Sequence, residues 1–182
     1  MDDRKKLIEG LIKEEEEIEA IQVGGIKQKV WEFLIKGKQF KSEEIDIDPQ
    51  FRLALSDCEV TLSVDFVINL PSTSIMLIQC RSTAIESWES YVISLARVIK
   101  DYQIPYAVVT DGEKARIIDV LTGRLIGEAL DELFNRQEIL NKMTDFKKIP
   151  CPANRLEMEK RIVYAFEGIK CPTVKNSTEE KA

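Results

Sequence analysis

Hydrophobic residues recur at helical spacing at the start of the chain. From Leu7 to Ile21 they flank a run of four glutamates, and this period predicts a charged first helix that ends near Gly24-Gly25. A second helix is predicted from about Ile26 to Lys36, with Gly37 as its stop signal. The N-terminal region is therefore expected to be helical.

The hydrophobic period changes to two after this region, which predicts strands. The extended segments are Ile45 to Leu55, Cys58 to Leu70 and Ile75 to Cys80, with turns at Ser56-Asp57 and at Pro71 to Ser74. Consecutive strands joined by short turns pair with each other, so these segments predict an antiparallel β-meander.

A crossover helix and two further strands are predicted after the meander. Thr83 to Glu86 has the pattern of a capping box, and the helix that it opens reaches about Lys100. The strands are Pro105 to Thr110 and Ala115 to Val120, with a turn at Asp111-Gly112. This order predicts an α/β fold of the α+β type, with a mixed sheet and the crossover helix packed on one face.

The C-terminal part is predicted to contain two more helices. Capping patterns open them, at Asn135 with Glu138 and at Asn154 with Glu157. The polar tail from Lys175 to Ala182 is expected to be disordered. Because 182 residues suffice for one substantial core, we expect a single domain over residues 1–174, with its core at about 43–128.

The composition limits both the location and the chemistry of the protein. No apolar run approaches the roughly 18 residues of a membrane helix, and the N-terminus has no signal-peptide pattern, so we expect a cytoplasmic protein without membrane contact. The chain has no histidine. Any catalysis would therefore depend on carboxylates, Lys, Arg, Tyr or a metal ion. A structural zinc would need all four scattered thiols, and none is expected. The thiols belong to Cys58, Cys80, Cys151 and Cys171.

The net charge of −6 is distributed unevenly. Met1 to Ala20 hold eight acidic and four basic residues, which is −4, whereas Ile21 to Ser42 hold five lysines against one glutamate, which is +4. This lysine strip could lie along a phosphate backbone, or it could be the solvated face of a helix. Its members are Lys27, Lys29, Lys36, Lys38 and Lys41. A pI near 5.0 argues against strong non-specific affinity for nucleic acid.

Polar residues of neighbouring strands are predicted to meet at Asp65. If the turn between the strands is centred on Ser72, Gln79 lies opposite Asp65; if it is centred on Thr73, Arg81 does. Either register places both residues on the face of the carboxylate. The group could be a site, or simply a cross-strand Asp-Arg pair beside an incidental glutamine.

Four segments resemble the N-terminal domain of type I restriction R subunits, which belongs to the PD-(D/E)xK nuclease superfamily. They are Val64 to Ile68, Leu77 to Arg81, Ser94 to Arg97 and Pro105 to Gly112. The order of elements follows that family from about Val30 to Gly127. The resemblance implies a restriction-endonuclease-like core.

The resemblance also implies roles for the polar group around Asp65. In that family an aspartate and a glutamate bind Mg²⁺, and a lysine two residues after the glutamate assists the attack on phosphate. By position, Asp65 corresponds to the aspartate, Gln79 replaces the glutamate and Arg81 replaces the lysine. Asp65 and Gln79 are the predicted metal ligands. A neutral amide should weaken Mg²⁺ binding, and Arg81 stays protonated at physiological pH.

Three hypotheses follow for the function. The first is an endodeoxyribonuclease with an altered D...QxR motif that hydrolyses DNA with Mg²⁺. The second is a catalytically inactive module of the same fold that binds nucleic acid or a protein partner, with DNA or other restriction-modification subunits as partners and the lysine strip as the contact surface. The third is a small interaction or assembly module with neither activity, for which an exposed apolar patch or a stable dimer would be evidence. Further site residues implied by the family are a glutamate from an early helix, for which Glu32 is a candidate, and a residue of the crossover helix near Glu89 and Tyr91.

Overall fold

The computed structural model describes residues 2–55 and 58–170. The predicted turn at Ser56-Asp57, Cys171 and the predicted tail from Lys175 to Ala182 lie outside the described residues. The helices and strands are α1 Asp2–Glu32, β1 Ile45–Ile47, β2 Gln50–Ala54, β3 Glu59–Ser63, β4 Phe66–Asn69, β5 Ser74–Cys80, α2 Glu89–Val98, β6 Tyr106–Thr110, β7 Lys114–Asp119, β8 Arg124–Ala129, α3 Arg136–Met143 and α4 Ala153–Lys170. Within this part of the chain, none of the helices combines the length and the apolar character needed to cross a bilayer.

A six-stranded mixed sheet forms the centre of the fold, in the order β1-β4-β5-β6-β7-β8. β5 and β6 are parallel, and the other neighbours are antiparallel. Parallel neighbours need a crossover connection, which α2 supplies. All seven residues of β5 are buried, as expected for a central strand covered on both faces. The predicted α/β fold with a mixed sheet is confirmed.

Helices cover both faces of this sheet. On one face the end of α1, with Val30, packs with α3 against alternate sheet residues such as Ile78. On the other face α2, with Leu95, and α4, with Val163, pack against the intervening residues. The period of two in the strands thus sends successive side chains into two separate cores.

The first helix is longer than predicted. The pair Gly24-Gly25 does not end α1, which continues to Glu32 and closes in a π-helical turn at Phe33–Gly37. Glycine costs only about 1 kcal/mol relative to alanine in a helix. Val23 and Ile26, on either side of the pair, pack against the core, and this packing favours one continuous helix.

Two of the predicted strands are each divided in two. The segment from Ile45 to Leu55 breaks at Asp48, whose φ is 51°, and the segment from Cys58 to Leu70 breaks at Val64 and Asp65. The breaks face each other, because the Asp48 N–H donates to the Asp65 carbonyl at 3.0 Å. As a result β2 and β3 leave the main sheet as a separate two-stranded ribbon.

Three further predictions need correction. The predicted capping box at Thr83 does not cap a helix. The residue before the 3-10 turn Ile85–Trp88 is Ala84, which adopts the left-handed conformation and forms no side-chain cap. Three strands follow the crossover helix instead of the two that were predicted. The additional strand is β8, and most of its residues are exposed, so its apolar pattern is weak. Asn154 lies inside α4 and does not cap it, whereas the predicted capping box at Asn135 is confirmed.

Candidate functional site

Asp65 lies at the break between β3 and β4, beside the end of β5. Phe66 pairs with Ile78, which is the register of a turn centred on Ser72 and sets Gln79 across from Asp65. The Cys80 N–H donates to Asp65 Oδ2 at 2.7 Å. The strand break thus turns the Asp65 carboxylate toward the backbone of the neighbouring strand.

Two cations approach the Asp65 carboxylate. Lys27 Nζ, from α1, lies 3.3 Å from Oδ1, and Arg81 Nη1 lies 3.9 Å from Oδ2. The Lys27 ammonium also forms an ion pair with the carboxylate of Asp48. Burial alone would lower the pKa of Lys27, but the two carboxylates outweigh it, and the net direction is upward. Two acids and two bases therefore form a charge-balanced cluster.

Asp48 is a member of this cluster that the sequence reasoning missed. Its φ of 51° is left-handed, a conformation that aspartate tolerates better than most residues. This turn brings its carboxylate to Lys27, which is 21 residues away in sequence. The available signal was an Asp-Pro pair inside an otherwise extended segment, which indicates a turn.

Gln79 is buried, with 2% of its surface exposed. Its Nε2 donates to the carbonyl of Ser63 at 3.0 Å. The amide group therefore ties β5 to the end of β3, next to the break that places Asp65. In this position Gln79 acts as a structural link between strands.

Arg81 is held from several sides. Its Nη1 donates to the Cys80 carbonyl at 2.7 Å, and its guanidinium carbon lies 4.2 Å from the centre of the Trp88 ring. Its Nε is buried and has no hydrogen-bond partner among the residues that the structure describes. Stacking on an aromatic face and a fixed backbone contact give the guanidinium one orientation, next to Asp65.

The lysine strip does not point in one direction. Lys27 joins the Asp65 cluster, whereas Lys29 pairs with Glu113 at 3.2 Å and Lys36 with Glu32 at 3.2 Å. Lys38 Nζ donates to the Asp131 carbonyl at 2.6 Å. At Lys41 the contact is made by the main chain, whose N–H donates to the Glu44 carboxylate at 2.9 Å. Lys27 and Lys29 are the two lysines of the strip that border the region of Asp65.

An open groove lies between α1 and the loops that follow β5 and β6. Its lining combines a cation, hydroxyls, a carboxylate and small residues: Gln22, Gly25, Ile26, Lys29, Ser82, Thr83 and Asp111. Ser82 and Thr83 follow Arg81 directly in the chain. The groove therefore adjoins the Asp65 cluster along two segments of the chain. On α1 its residues Ile26 and Lys29 flank Lys27, and after β5 its residue Ser82 follows Arg81.

The cluster does not fit Mg²⁺ in the arrangement observed. One Asp65 oxygen accepts from a backbone N–H and the other faces the Lys27 ammonium. Among residues 2–55 and 58–170, no three His, Cys, Asp or Glu side chains are grouped closely enough to hold a metal ion. A divalent cation at Asp65 would have to displace Lys27.

The other candidate residues belong to separate contacts. Glu32 pairs with Lys36, and Glu89 pairs with Arg116. The Tyr91 hydroxyl donates to Glu167 of α4, and burial raises the pKa of Tyr91 well above its ordinary value. The site that the fold assembles is therefore Asp65 with Lys27, Asp48, Gln79 and Arg81.

A comparison with models of protein families finds a match over the region that contains the Asp65 cluster. The family model described as type I restriction enzyme R protein N terminus (HSDR_N) matches residues 25–133, which is more than half of the chain. The matched range contains every residue of the Asp65 cluster. No curated protein and no solved structure matches the chain.

Proposed function

The chain belongs to the family of type I restriction enzyme R protein N termini, and from that premise we propose that it is a nuclease-like domain that binds DNA without cutting it. One observation carries this proposal. The carboxylate that corresponds to the family's metal ligand lies between two cations of the chain itself, Lys27 and Arg81.

The chemistry of hydrolysis supports this reading. Phosphodiester hydrolysis in this superfamily depends on a metal ion that acidifies the attacking water. An ammonium beside Asp65 neutralises the carboxylate but has no open coordination position for water. Arg81 can stabilise phosphate charge, yet it cannot accept a proton at neutral pH. The cluster is therefore suited to holding charge in place, because both of its carboxylates are already paired with cations.

The groove beside the cluster supports binding of a phosphate backbone. Lysine ammonium, hydroxyl groups and backbone N–H groups are among the groups that contact DNA phosphates in protein complexes. Lys29 is more than half exposed, and Ser82 and Thr83 lie on the opposite wall. Because the chain carries −6 overall, we expect binding to be weak. Its electrostatic part should decrease as the salt concentration rises. Other restriction-modification subunits would then supply further affinity.

DNA binding can be tested by fluorescence anisotropy of a labelled duplex over a range of salt concentrations. Lys29→Ala should weaken binding and reduce the salt slope by about 1, because one phosphate contact is lost. Lys147→Ala is the matched control, since it removes the same charge from a loop between α3 and α4. Absence of binding, or an equal effect of both substitutions, would contradict the proposal.

Cleavage is tested on the same samples with plasmid and single-stranded DNA in Mg²⁺ or Mn²⁺. We expect intact DNA with the wild type and with Asp65→Ala. The double substitution Gln79→Glu, Arg81→Lys restores the residue types of the family and is the variant most suited to regain activity. Nicking by the wild type that disappears in Asp65→Ala would overturn the non-cleaving assignment.

One observation favours the alternative of Mg²⁺-dependent hydrolysis, with Asp65 and Gln79 as metal ligands. Asp48 brings a second carboxylate to the same ammonium, so a metal that displaced Lys27 would meet two acidic groups. Calorimetric titration of Mg²⁺ and Mn²⁺ into the wild type and Asp65→Ala separates the alternatives. Binding that depends on Asp65 would favour the nuclease.

A further inference from the structure

The Lys27 side chain reaches from α1 to both strand breaks of the Asp65 cluster. Its Nζ lies 3.3 Å from Asp65 Oδ1 and forms an ion pair with the carboxylate of Asp48. The two aspartates are also joined through their main chains, since the Asp48 N–H donates to the Asp65 carbonyl. One ammonium therefore links the two carboxylates at the point where the ribbon of β2 and β3 leaves the main sheet.

The rest of the Lys27 side chain holds the ammonium in this place. Lys27 lines a small, almost wholly apolar pocket with residues that include Trp31 and Phe66, so its contribution to the pocket is its methylene stem. The helix itself is fixed on the core by Val30, which is fully buried. As a result only 22% of the Lys27 side chain is exposed. The packing of α1 thus sets the position of the charge.

The Asp65 carboxylate needs a cation on the side that Lys27 occupies. Its side chain is 14% exposed, and a carboxylate that is withdrawn from water must be compensated by cations or hydrogen-bond donors. Oδ2 accepts from the Cys80 N–H and has Arg81 at 3.9 Å, whereas Oδ1 faces Lys27. A cation shared by carboxylates of neighbouring segments is what the chemistry of this superfamily assigns to Mg²⁺.

We propose that the Lys27 ammonium is the resident cation of this site and takes the place of the divalent metal. The chain then supplies from α1 the positive charge that a metal would bring, and the fold around Asp65 does not depend on metal. This assigns to Lys27 a structural role that goes beyond the absence of cleavage. The inference shares with the proposed function the premise that no metal binds at Asp65 in the wild type, and it does not require DNA binding.

Thermal unfolding of the full chain in EDTA and in Mn²⁺ tests the proposal. The Tm of the wild type should be the same in both. Lys27→Met keeps an apolar stem and removes the charge, so Asp48 and Asp65 are left as carboxylate ligands, which suit Mn²⁺. The Tm of this variant should be lower than that of the wild type in EDTA. Mn²⁺ at 100 times its Kd should raise it by about 5–10 °C.

Three further variants separate the charge of Lys27 from its packing. Lys29→Met is the matched control, because it removes the same charge from the same helix, where Lys29 pairs with the exposed carboxylate of Glu113. Its Tm should not respond to Mn²⁺. The double variant Lys27→Met, Asp48→Asn keeps one carboxylate and should lose most of the Mn²⁺ effect. Lys27→Arg retains the positive charge and should resemble the wild type.

Two outcomes would overturn the proposal. An equal rise of the Tm in Mn²⁺ for the wild type and Lys27→Met would show that the ammonium does not exclude the metal. Absence of a Mn²⁺ effect on Lys27→Met would show that the ammonium is an ordinary ion-pair partner. If Lys27→Met is unfolded in EDTA, recovery of its circular dichroism in Mn²⁺ supports the proposal and failure to recover contradicts it. Absence of DNA binding together with the expected Tm pattern would contradict the proposed function alone.

Discussion

Replacing Glu159 with glutamine removes the charge that joins helix α4 to helix α2. The Glu159 side chain is 2% exposed. It accepts hydrogen bonds from Ser94 Oγ at 2.6 Å and from Arg97 Nη1 at 2.7 Å. Arg155, one turn away on α4, donates to it at 2.9 Å. The carboxylate is therefore the shared acceptor of a buried polar network between the two helices.

Glu159→Gln should lower the free energy of unfolding because it leaves the buried Arg97 guanidinium without its ion-pair partner. The Arg97 side chain is 9% exposed, and its Nη2 donates to the Val120 carbonyl. Within residues 2–55 and 58–170, its Nε has no hydrogen-bond partner. Removing one member of a buried ion pair costs about 3–5 kcal/mol, because the other charge stays buried. Glutamine still offers an acceptor oxygen, so we expect about 3 kcal/mol for Glu159→Gln. At roughly 2–4 °C per kcal/mol, the Tm should fall by about 6–12 °C.

Urea unfolding followed by circular dichroism measures this change. Glu157→Gln is the matched control, because it removes the same charge from an exposed pair with Arg161 on the same helix. It should change the free energy of unfolding by less than about 0.5 kcal/mol. The double variant Arg97→Met, Glu159→Leu should be less destabilised than the sum of its single substitutions, since apolar replacement of both charges is often neutral. Equal stability of Glu159→Gln and Glu157→Gln would refute the reasoning.

The same network predicts a dependence on pH. Burial raises the pKa of Glu159, but hydrogen bonds from Ser94 and the nearby arginines outweigh it, and the folded pKa lies below the ordinary 4.5. A group whose pKa is lowered on folding adds stability above its unfolded pKa and loses it as the pH falls through the folded value. The wild type should therefore lose this contribution below about pH 4.5, and Glu159→Gln should lack that part of the acid loss.

Four further predictions concern single positions. Ile78→Ala, in the centre of β5, should cost about 2–5 kcal/mol in urea unfolding, whereas a value under ~1 kcal/mol would contradict its place in the core. Asn135→Ala removes the cap of α3 and should cost about 1 kcal/mol, with Asn135→Asp as the variant that retains a capping oxygen. Lys27→Met frees two carboxylates and should bind Mn²⁺ more tightly than the wild type in calorimetry; unchanged binding would show that Lys27 does not compete with a metal. Burial raises the pKa of the Cys80 thiol, so a thiol reagent followed by peptide mapping should modify exposed Cys58 first and Cys80 only after unfolding.

Local patterns predicted the part of the site that lies within one pair of strands. The alternation of β4 and β5 and the length of their turn were enough to bring Gln79 and Arg81 to Asp65, because register is a local property of a hairpin. Asp48 and Lys27 were not assigned to the cluster, since their contacts depend on how α1 packs across the sheet. The spacing of neighbouring residues contains no information about such packing.

Errors in the predicted elements have similar causes. The break at Asp65 was missed because the apolar alternation continues through it, while the backbone turns to pair with Asp48. The continuity of α1 through Gly24-Gly25 was missed because a glycine pair is a local stop signal that tertiary packing can override. The roles inferred for Gln79 and Arg81 as metal ligand and catalytic cation stay predictions.

The continuity of α1 has a consequence for the direction in which its N-terminal part extends. Val23 and Ile26 pack against the core, and the 21 helical residues from Asp2 to Gln22 span about 32 Å before that contact. A helix that ended at Gly24-Gly25 would have left this segment joined to the domain by a turn. Because the helix is unbroken, Arg4 is instead held about 35 Å along the helix axis from Lys27, in a fixed direction from the Asp65 cluster.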